Sequence, residues 1–377
     1  MGDEKIAILI SCTDHYRERM HIFDSFLSDN GYKTQYIASD FHHIEKTPFK
    51  CSIKDSIQLH VRPYKKNLSV SRILSHRDFA KGVYNYLKNL NYEPDLIVCE
   101  IPPNFLAKYV SKYKKQHPNV KLIFDIFDLW PETFPSNSMK RLLKLPFKIW
   151  GSLRDKNIFT ANSVITECNM YQKVLGTADN PKVNTLYLSA QKFENQPAKN
   201  INTDRIVLCY LGSVNNVIDI QRIENFITKL NSLKPCKVNV IGNGERMDDF
   251  LYALNKTGAE IEFHGVVYDN EKKRKIISEC HFGLNIVKSS VCIALTMKSI
   301  DYFSFGLPII NTVSGDTLEL VENEKVGFNL DETTAKTVAS LREEELTALR
   351  QNVQRVFDEN FEISVIKGKL ETIIKNL

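Results

Sequence analysis

Short apolar strand patterns alternate with amphipathic helix patterns twice over along this chain, and that rhythm narrows the fold more than any other feature. In the first half, KIAILIS, KTQYIAS, PDLIVCEI, VKLIFDIFD and SVITEC read as strands. Between them, YRERMHIFDSFLSDNG, closed by Gly31, reads as a helix, as do SHRDFAKGVYNYLKNLNY and NFLAKYVSKYKKQHP. SMKRLLKLPFKIWGSLRDKNIF is also helical, with a break expected at Pro146. The strands are continuous apolar runs, which is the pattern of a parallel sheet covered on both faces.

A polar stretch, AQKFENQPAKNINT at 190–203, is the expected linker. The alternation then restarts with RIVLCYLGS, VNVIGNG, IEFHGVV and FGLNIVK as strands. Helical patterns separate them, and VGFNL and REEELTALRQNVQRVF follow. The fold class expected is α/β, with two Rossmann-like domains facing across a cleft. The boundaries are 1–193, 203–356, and a last helix over 357–377. A stripe of Ile363, Val365, Ile366, Leu370, Ile373, Ile374 and Leu377 supports that helix.

A chain of 377 residues suits two domains of ordinary size. A net charge of +5 gives no argument for nucleic acid. No apolar run is long enough to span a membrane. The start, MGDEKIAILI, reads as a first strand and not a signal peptide, and it lacks the Ser or Thr at position 6 of a myristoylation site. The eight cysteines form no Cys-x-x-Cys and no zinc spacing, so buried free thiols in a reducing cytosol are expected. The chain is therefore expected in the cytoplasm.

In open α/β sheets ligands bind beyond the carboxyl ends of the strands. In the second half, Gly212 and Ser213 follow one strand, Gly242, Asn243 and Gly244 another, and Val267 and Tyr268 a third. Each is either a plain turn or a place where backbone approaches a nucleotide. Lys288 ends a further strand, positioned either for phosphate or for solvent. TMKSIDYFSFGLPII at 296–310 sets Lys298 and Asp301 on one face of a short helix, capped by Thr296 and stopped by Gly306 and Pro308. The pair is either a surface ion pair or a phosphate and ribose-diol site. In the first half, Asp14, His15, Arg17 and Arg19 follow the first strand. Arg17 and Arg19 are either acceptor contacts or decoration of an exposed helix. Asp125, Asp128 and Glu132 lie near another strand end, Asp128 toward an acceptor or as a helix cap, Glu132 as a cap or surface group.

With YLGS, VIGNGE, FHGVV and MKSIDYFSFGLPII in the second half and FDIFDLWPETFP in the first, the chain resembles GT-B fold glycosyltransferases. The likeness is to family 4-like enzymes of bacterial cell-surface polysaccharide and glycoprotein assembly. Lys298, Asp301, Tyr302, Gly306 and Pro308 fall on the Lys-x-x-Glu-Tyr-x-x-x-Gly-x-Pro motif. The resemblance implies that Asp301 binds the donor ribose, that the first domain takes the acceptor and that the last helix, 357–377, crosses back to the first domain. The implied activity is metal-independent hexosyl transfer from a nucleotide-diphosphate sugar, expected to be a UDP-sugar, to an acceptor hydroxyl of a glycan, lipid-linked or glycoprotein substrate. No metal and no cofactor is expected, and no Asp-x-Asp occurs. The implied catalytic candidates are Asp128, Asp14 and His15. The motif's earlier glutamate position holds Ile293, the usual Arg and Lys after the first glycine are absent, and Phe127 stands where a histidine is common. Those departures keep two other readings open: a non-catalytic partner subunit, possible as part of an oligomer, and a sugar-nucleotide epimerase. The basic amphipathic segment with Lys140, Arg141, Lys144, Lys148, Arg154 and Lys156 is either a peripheral contact with an inner membrane face or a packed helix with a solvated face.

Overall fold

The computed structural model describes residues 5–12, 17–43, 45–53, 55–67, 69–133, 144–193 and 203–377. The chain divides into two compact units, Met1–Leu186 with Lys367–Leu377, and Tyr187–Ile366.

The first unit holds a parallel sheet of β1 (Lys5–Ile10), β2 (Tyr32–Ser39), β3 (Ile57–Leu59), β4 (Leu96–Ile101), β5 (Lys121–Ile126), β6 (Ser163–Thr166) and β7 (Val183–Thr185). Their spatial order is β3-β2-β1-β4-β5-β6-β7. All six residues of β4, LIVCEI, are buried, as a strand covered on both faces requires. The crossovers use α1 (Arg17–Asp29), α2 (Val70–Lys88), α3 (Asn104–Gln116), α4 (Lys144–Asp155) and α5 (Asn169–Leu175). Strands β1 and β4 pair although far apart in sequence, so the strand order reverses between them.

Several local expectations change. The helix read from Ser75 begins at Val70, because the Ser69 hydroxyl accepts from the Arg72 N–H and caps it. Pro146 does not break α4. It lies in the first turn, where a helix has no carbonyl waiting for its missing N–H. Arg154 is not on a solvated basic face: it is fully buried, bonded to Glu132 through two nitrogens at 3.0 Å and to Asp155 at 2.8 Å. The ion pair with Arg154 also replaces the cap or surface role expected for Glu132. Lys140 and Arg141 lie outside the described residues.

The second unit repeats the plan with β8 (Ile206–Leu211), β9 (Cys236–Ile241), β10 (Glu260–Gly265), β11 (Phe282–Asn285), β12 (Ile309–Asn311) and β13 (Gly327–Asn329), in the order β10-β9-β8-β11-β12-β13. Its helices are α6 (Ile220–Asn231), α7 (Met247–Asn255), α8 (Asn270–Ser278), α9 (Met297–Ser304), α10 (Asp316–Glu324), α11 (Thr334–Ser340) and α12 (Glu343–Asn360). The last helix, α13 (Ile363–Lys375), buries Ile366, Leu370 and Ile373, while Ile363 is exposed. The eight cysteines are all free, and burial pushes the Cys236 thiol up to about 12. Among the described residues no helix is long and apolar enough to cross a membrane.

Candidate functional site

In the second unit the strand order reverses between β8 and β11, and the loops after these strands open where a doubly wound sheet binds ligands. The charged helix α9 stands here. The Thr296 hydroxyl accepts from the Ser299 N–H at 2.9 Å and caps its start. At its end the Gly306 N–H reaches the Phe303 carbonyl and the Leu307 N–H reaches that of Tyr302, both at 2.9 Å. Gly306 has φ +63°, the left-handed turn such an ending demands.

These ends place Lys298 over β8. Its ammonium lies 3.8 Å from the centre of the Tyr210 ring, and a Cβ on Gly212 would come 3.6 Å from Lys298 Cε. Among the described residues Lys298 forms no ion pair. Burial pushes its pKa down to about 7, with Cys209 and Asp301 pulling the other way. Asp301, half-buried, follows three residues later on the same helix. The sequence reading of a surface pair does not describe this arrangement: the lysine is half-buried and stacked on a ring.

Tyr302 is fully buried beside the reversal. Its hydroxyl accepts from the Leu211 N–H at 2.9 Å and lies 3.1 Å from the Cys209 carbonyl and 3.3 Å from the Leu284 carbonyl. Any Cβ on Gly283 would meet the Tyr302 ring at 2.6 Å. Gly242 and Gly244 let two loops touch. A Cβ on Gly242 would fall 2.0 Å from the Gly212 carbonyl oxygen, and one on Gly244 2.3 Å from that of Val214. The Gly212 N–H donates to Ile241 and that of Val214 to Asn243, so the loops after β8 and β9 form one surface. Ser213 and Asn243 are exposed on it. After β10, Val267 is buried and Tyr268 is 88% exposed. The Lys288 N–H bonds the Val217 carbonyl at 2.9 Å, which draws the end of β11 against the loop after β8.

A ladder of amides lies behind α9. Asn285, Asn311 and Asn329 occupy matched positions on β11, β12 and β13. Asn285 Nδ2 donates to Asn311 Oδ1 at 2.9 Å and to the Ser299 hydroxyl at 3.0 Å, and Asn311 Nδ2 donates to Asn329 Oδ1 at 2.8 Å. The Thr296 hydroxyl in turn donates to Asn285 Oδ1 at 3.2 Å. The N-terminus of α9 is thus fixed to three strands.

In the first unit, Arg19 is neither an acceptor contact nor surface decoration. It is 1% exposed and grips Asp125 with Nε to Oδ2 at 2.8 Å and Nη2 to Oδ1 at 3.0 Å. Asp128 accepts from the Thr133 hydroxyl at 2.6 Å. Burial raises its pKa, against hydrogen bonds from Thr133, Trp130 and Leu129 and the charge of Arg72. Asp14 and His15, and the side chain of Arg17, lie outside the described residues. Sequence reasoning missed Tyr210, the asparagine ladder, Arg72 and His76. Three asparagines at the ends of apolar strands were the available signal for the ladder. Among the described residues no three of His, Cys, Asp and Glu group as metal ligands.

Residues 205–344 match the family described as "Glycosyl transferases group 1". No curated protein matches the sequence. Among solved structures, the Candida albicans trehalose-6-phosphate phosphatase N-terminal domain is similar with a TM-score of 0.68 at 11% identity, over 99% of this chain and 97% of that one. Anabaena Alr3699/HepE in complex with UDP gives 0.67 at 14% identity, over 99% and 100%. The lipopolysaccharide outer core galactosyltransferase WaaB in its apo form gives 0.63 at 11%, over 98% and 99%. At these identities the structural likeness is one of fold. The chain thus has the fold of these solved structures over its length, and residues 205–344 of its second unit are similar to glycosyl transferases group 1.

Proposed function

We propose that the chain moves a sugar from a UDP-sugar, bound by the second unit, to an acceptor hydroxyl bound by the first, in surface glycan or glycoprotein synthesis. One observation carries this reading: Lys298, in no ion pair among the described residues, lies over Tyr210 beside Gly212 at the strand-order reversal. A diphosphate there supplies the counter-charge, with Lys288 as the second cation. The ribose hydroxyls donate to Asp301, and the backbone at Val267 and Tyr268 meets the base. The loop surface of Gly212, Ser213, Gly242, Asn243 and Gly244 packs against the nucleotide.

In the reaction the bond from the anomeric carbon to the UDP oxygen breaks and a bond to the acceptor oxygen forms. The acceptor hydroxyl loses its proton, and UDP leaves with added negative charge. Lys298 stabilises that charge where it develops, and does so without a metal. Asp128, with Asp14 and His15 on the same unit, is the candidate for orienting the acceptor. The exposed face of α4, with Lys144, Leu145, Lys148 and Ile149, is the surface available for peripheral membrane contact.

Thermal unfolding against a panel of nucleotide sugars tests the donor, since a ligand at 100 times its Kd adds about 2.7 kcal/mol of stability. Asp301→Ala should weaken UDP binding by roughly 1.5–3 kcal/mol, the scale of charge-assisted hydrogen bonds. Turnover should persist in excess chelator. A folded Asp301→Ala protein with unchanged affinity sinks the ribose role, and turnover restored only by magnesium or manganese sinks the metal-free one.

A further inference from the structure

On the carboxyl side of the first unit's sheet lie two cations that form no ion pair among the described residues. Arg72, in the first turn of α2, is 7% exposed. Its Nη1 donates to the Asn67 carbonyl at 3.0 Å, and its Nε and Nη2 lie 3.4 and 3.5 Å from His76 Nε2 and His43 Nε2. The guanidinium stands 6.0 Å from the centre of the Tyr64 ring and 5.3 Å from that of Trp130. Among the described residues it forms no ion pair. Lys46 adds a second cation, bonded to the His43 carbonyl and to Asn67 Oδ1 and 4.8 Å from the Tyr64 ring centre. Burial and then Arg72 push the Lys46 pKa down.

Against this cluster lies a cavity of about 20 Å³, lined by Cys12, Ser39, Phe41, His43, Tyr64 and His76 among others. That is room for about one oxygen atom's worth of guest. His76 is 8% exposed, and its Nδ1 has no hydrogen-bond partner. Arg72 donates to Nε2, so the proton of the neutral ring sits on Nδ1, and the unpaired atom is a donor. A water would satisfy His76 but give Arg72, whose charge acts on Asp128 without an ion pair, no anionic partner. An anionic oxygen answers both needs.

We infer that this pocket anchors an oxyanion of the acceptor, a phosphate or a carboxylate, with one oxygen in the cavity on His76 Nδ1 and with Arg72 and Lys46 as its counter-charge. The inference rests on the reading that the first unit holds the acceptor, and it gives that acceptor a charge. Glucose 6-phosphate, glucuronate and, as the neutral control, glucose serve as probes in calorimetric titrations of the full chain, with UDP titrated in parallel. At least one anion should bind ten-fold or more tighter than glucose. Arg72→Met should abolish that preference, Arg72→Lys should keep part of it, and Lys298→Met should leave it intact. Should Arg72→Met fail to fold, His76→Phe must reduce the same preference. Anions binding no better than glucose, or losing their preference with Lys298→Met and keeping it with Arg72→Met, overturn the proposal. UDP binding without anion binding defeats this inference alone, whereas anion binding without UDP binding defeats the donor reading.

Discussion

The Lys298 ammonium lies 3.8 Å from the centre of the Tyr210 ring and has a pKa lowered to about 7 by burial. A lysine in that condition is half-charged near neutrality, and an incoming diphosphate favours its charged form.

UDP binding should therefore take up protons. In the free protein Lys298 loses its proton above about pH 7, and in the complex it keeps it to higher pH. Between those two values the complex holds up to one proton more, and affinity falls as pH rises. Calorimetry at pH 8 in buffers of different ionisation enthalpy reads the uptake directly. Lys298→Met should remove it along with part of the affinity. Heats independent of buffer would count against a lysine on the diphosphate. The stability effect has a defined sign as well. The folded pKa is below the unfolded one, near 10.4, so this group makes stability rise with pH between about 7 and that value.

The asparagine ladder predicts a coupling between the sheet and the site. Asn311 is fully buried and satisfies amides on both neighbouring strands. Asn311→Ala takes one buried hydrogen bond from each of the Asn285 and Asn329 amides, which should cost about 2–4 kcal/mol of stability in urea titrations. It should also loosen the start of α9 and weaken UDP binding at temperatures where the variant is fully folded. Native affinity in that variant would mean the cap at Thr296 fixes the helix unaided.

How much of this was legible in sequence depends on range. Strands buried on both faces, such as LIVCEI, carry their own signature, so the two parallel sheets could be read directly. The edge strands β3 and β7 are three residues each, too short for an apolar run, and went unread. The ends of α9 could be read because Thr296, Gly306 and Pro308 act within a turn of themselves. Arg19 and Asp125 are 106 residues apart, and nothing local separates a buried ion pair from two surface charges. The same holds for Asn285, Asn311 and Asn329, which meet only through strand register.

That buried ion pair has a neighbour with a pH signature. Glu100 on β4 is fully buried and paired in register with Asp125 on β5. Arg19 compensates Asp125, and burial pushes the Glu100 carboxyl well above the usual range. Since its folded pKa is raised above the unfolded value near 4.3, the stability it allows is complete below that value and is lost as pH rises toward the folded one. Glu100→Gln should thus stabilise the protein at pH 7 and change little at pH 4. Equal effects at both values in thermal unfolding would place the charge on Glu100 in the folded state.

Gly283 and Tyr302 make a final pair whose coupling can be measured. The Tyr302 ring lies across the point where β8 and β11 diverge, and Gly283 on β11 gives it room. Gly283→Ala puts a methyl 2.6 Å from ring carbons of a side chain with no exposed edge to retreat to. Overpacking of that kind costs typically about 1–3 kcal/mol. Tyr302→Phe keeps the ring but leaves the buried Leu211 N–H without its acceptor, a loss of about 1–3 kcal/mol. Tyr302→Leu removes both the hydroxyl and the clash. The double variant Gly283→Ala with Tyr302→Leu should therefore be more stable than the sum of its single changes predicts, whereas Gly283→Ala with Tyr302→Phe should show no such relief. Both cycles are read from urea unfolding midpoints at fixed slope. Additive losses in the leucine cycle would show that Gly283 is held by something other than the ring. The same leucine variant should lose UDP affinity, because the end of β8 carries Gly212 and is tied to α9 through the Tyr302 hydroxyl.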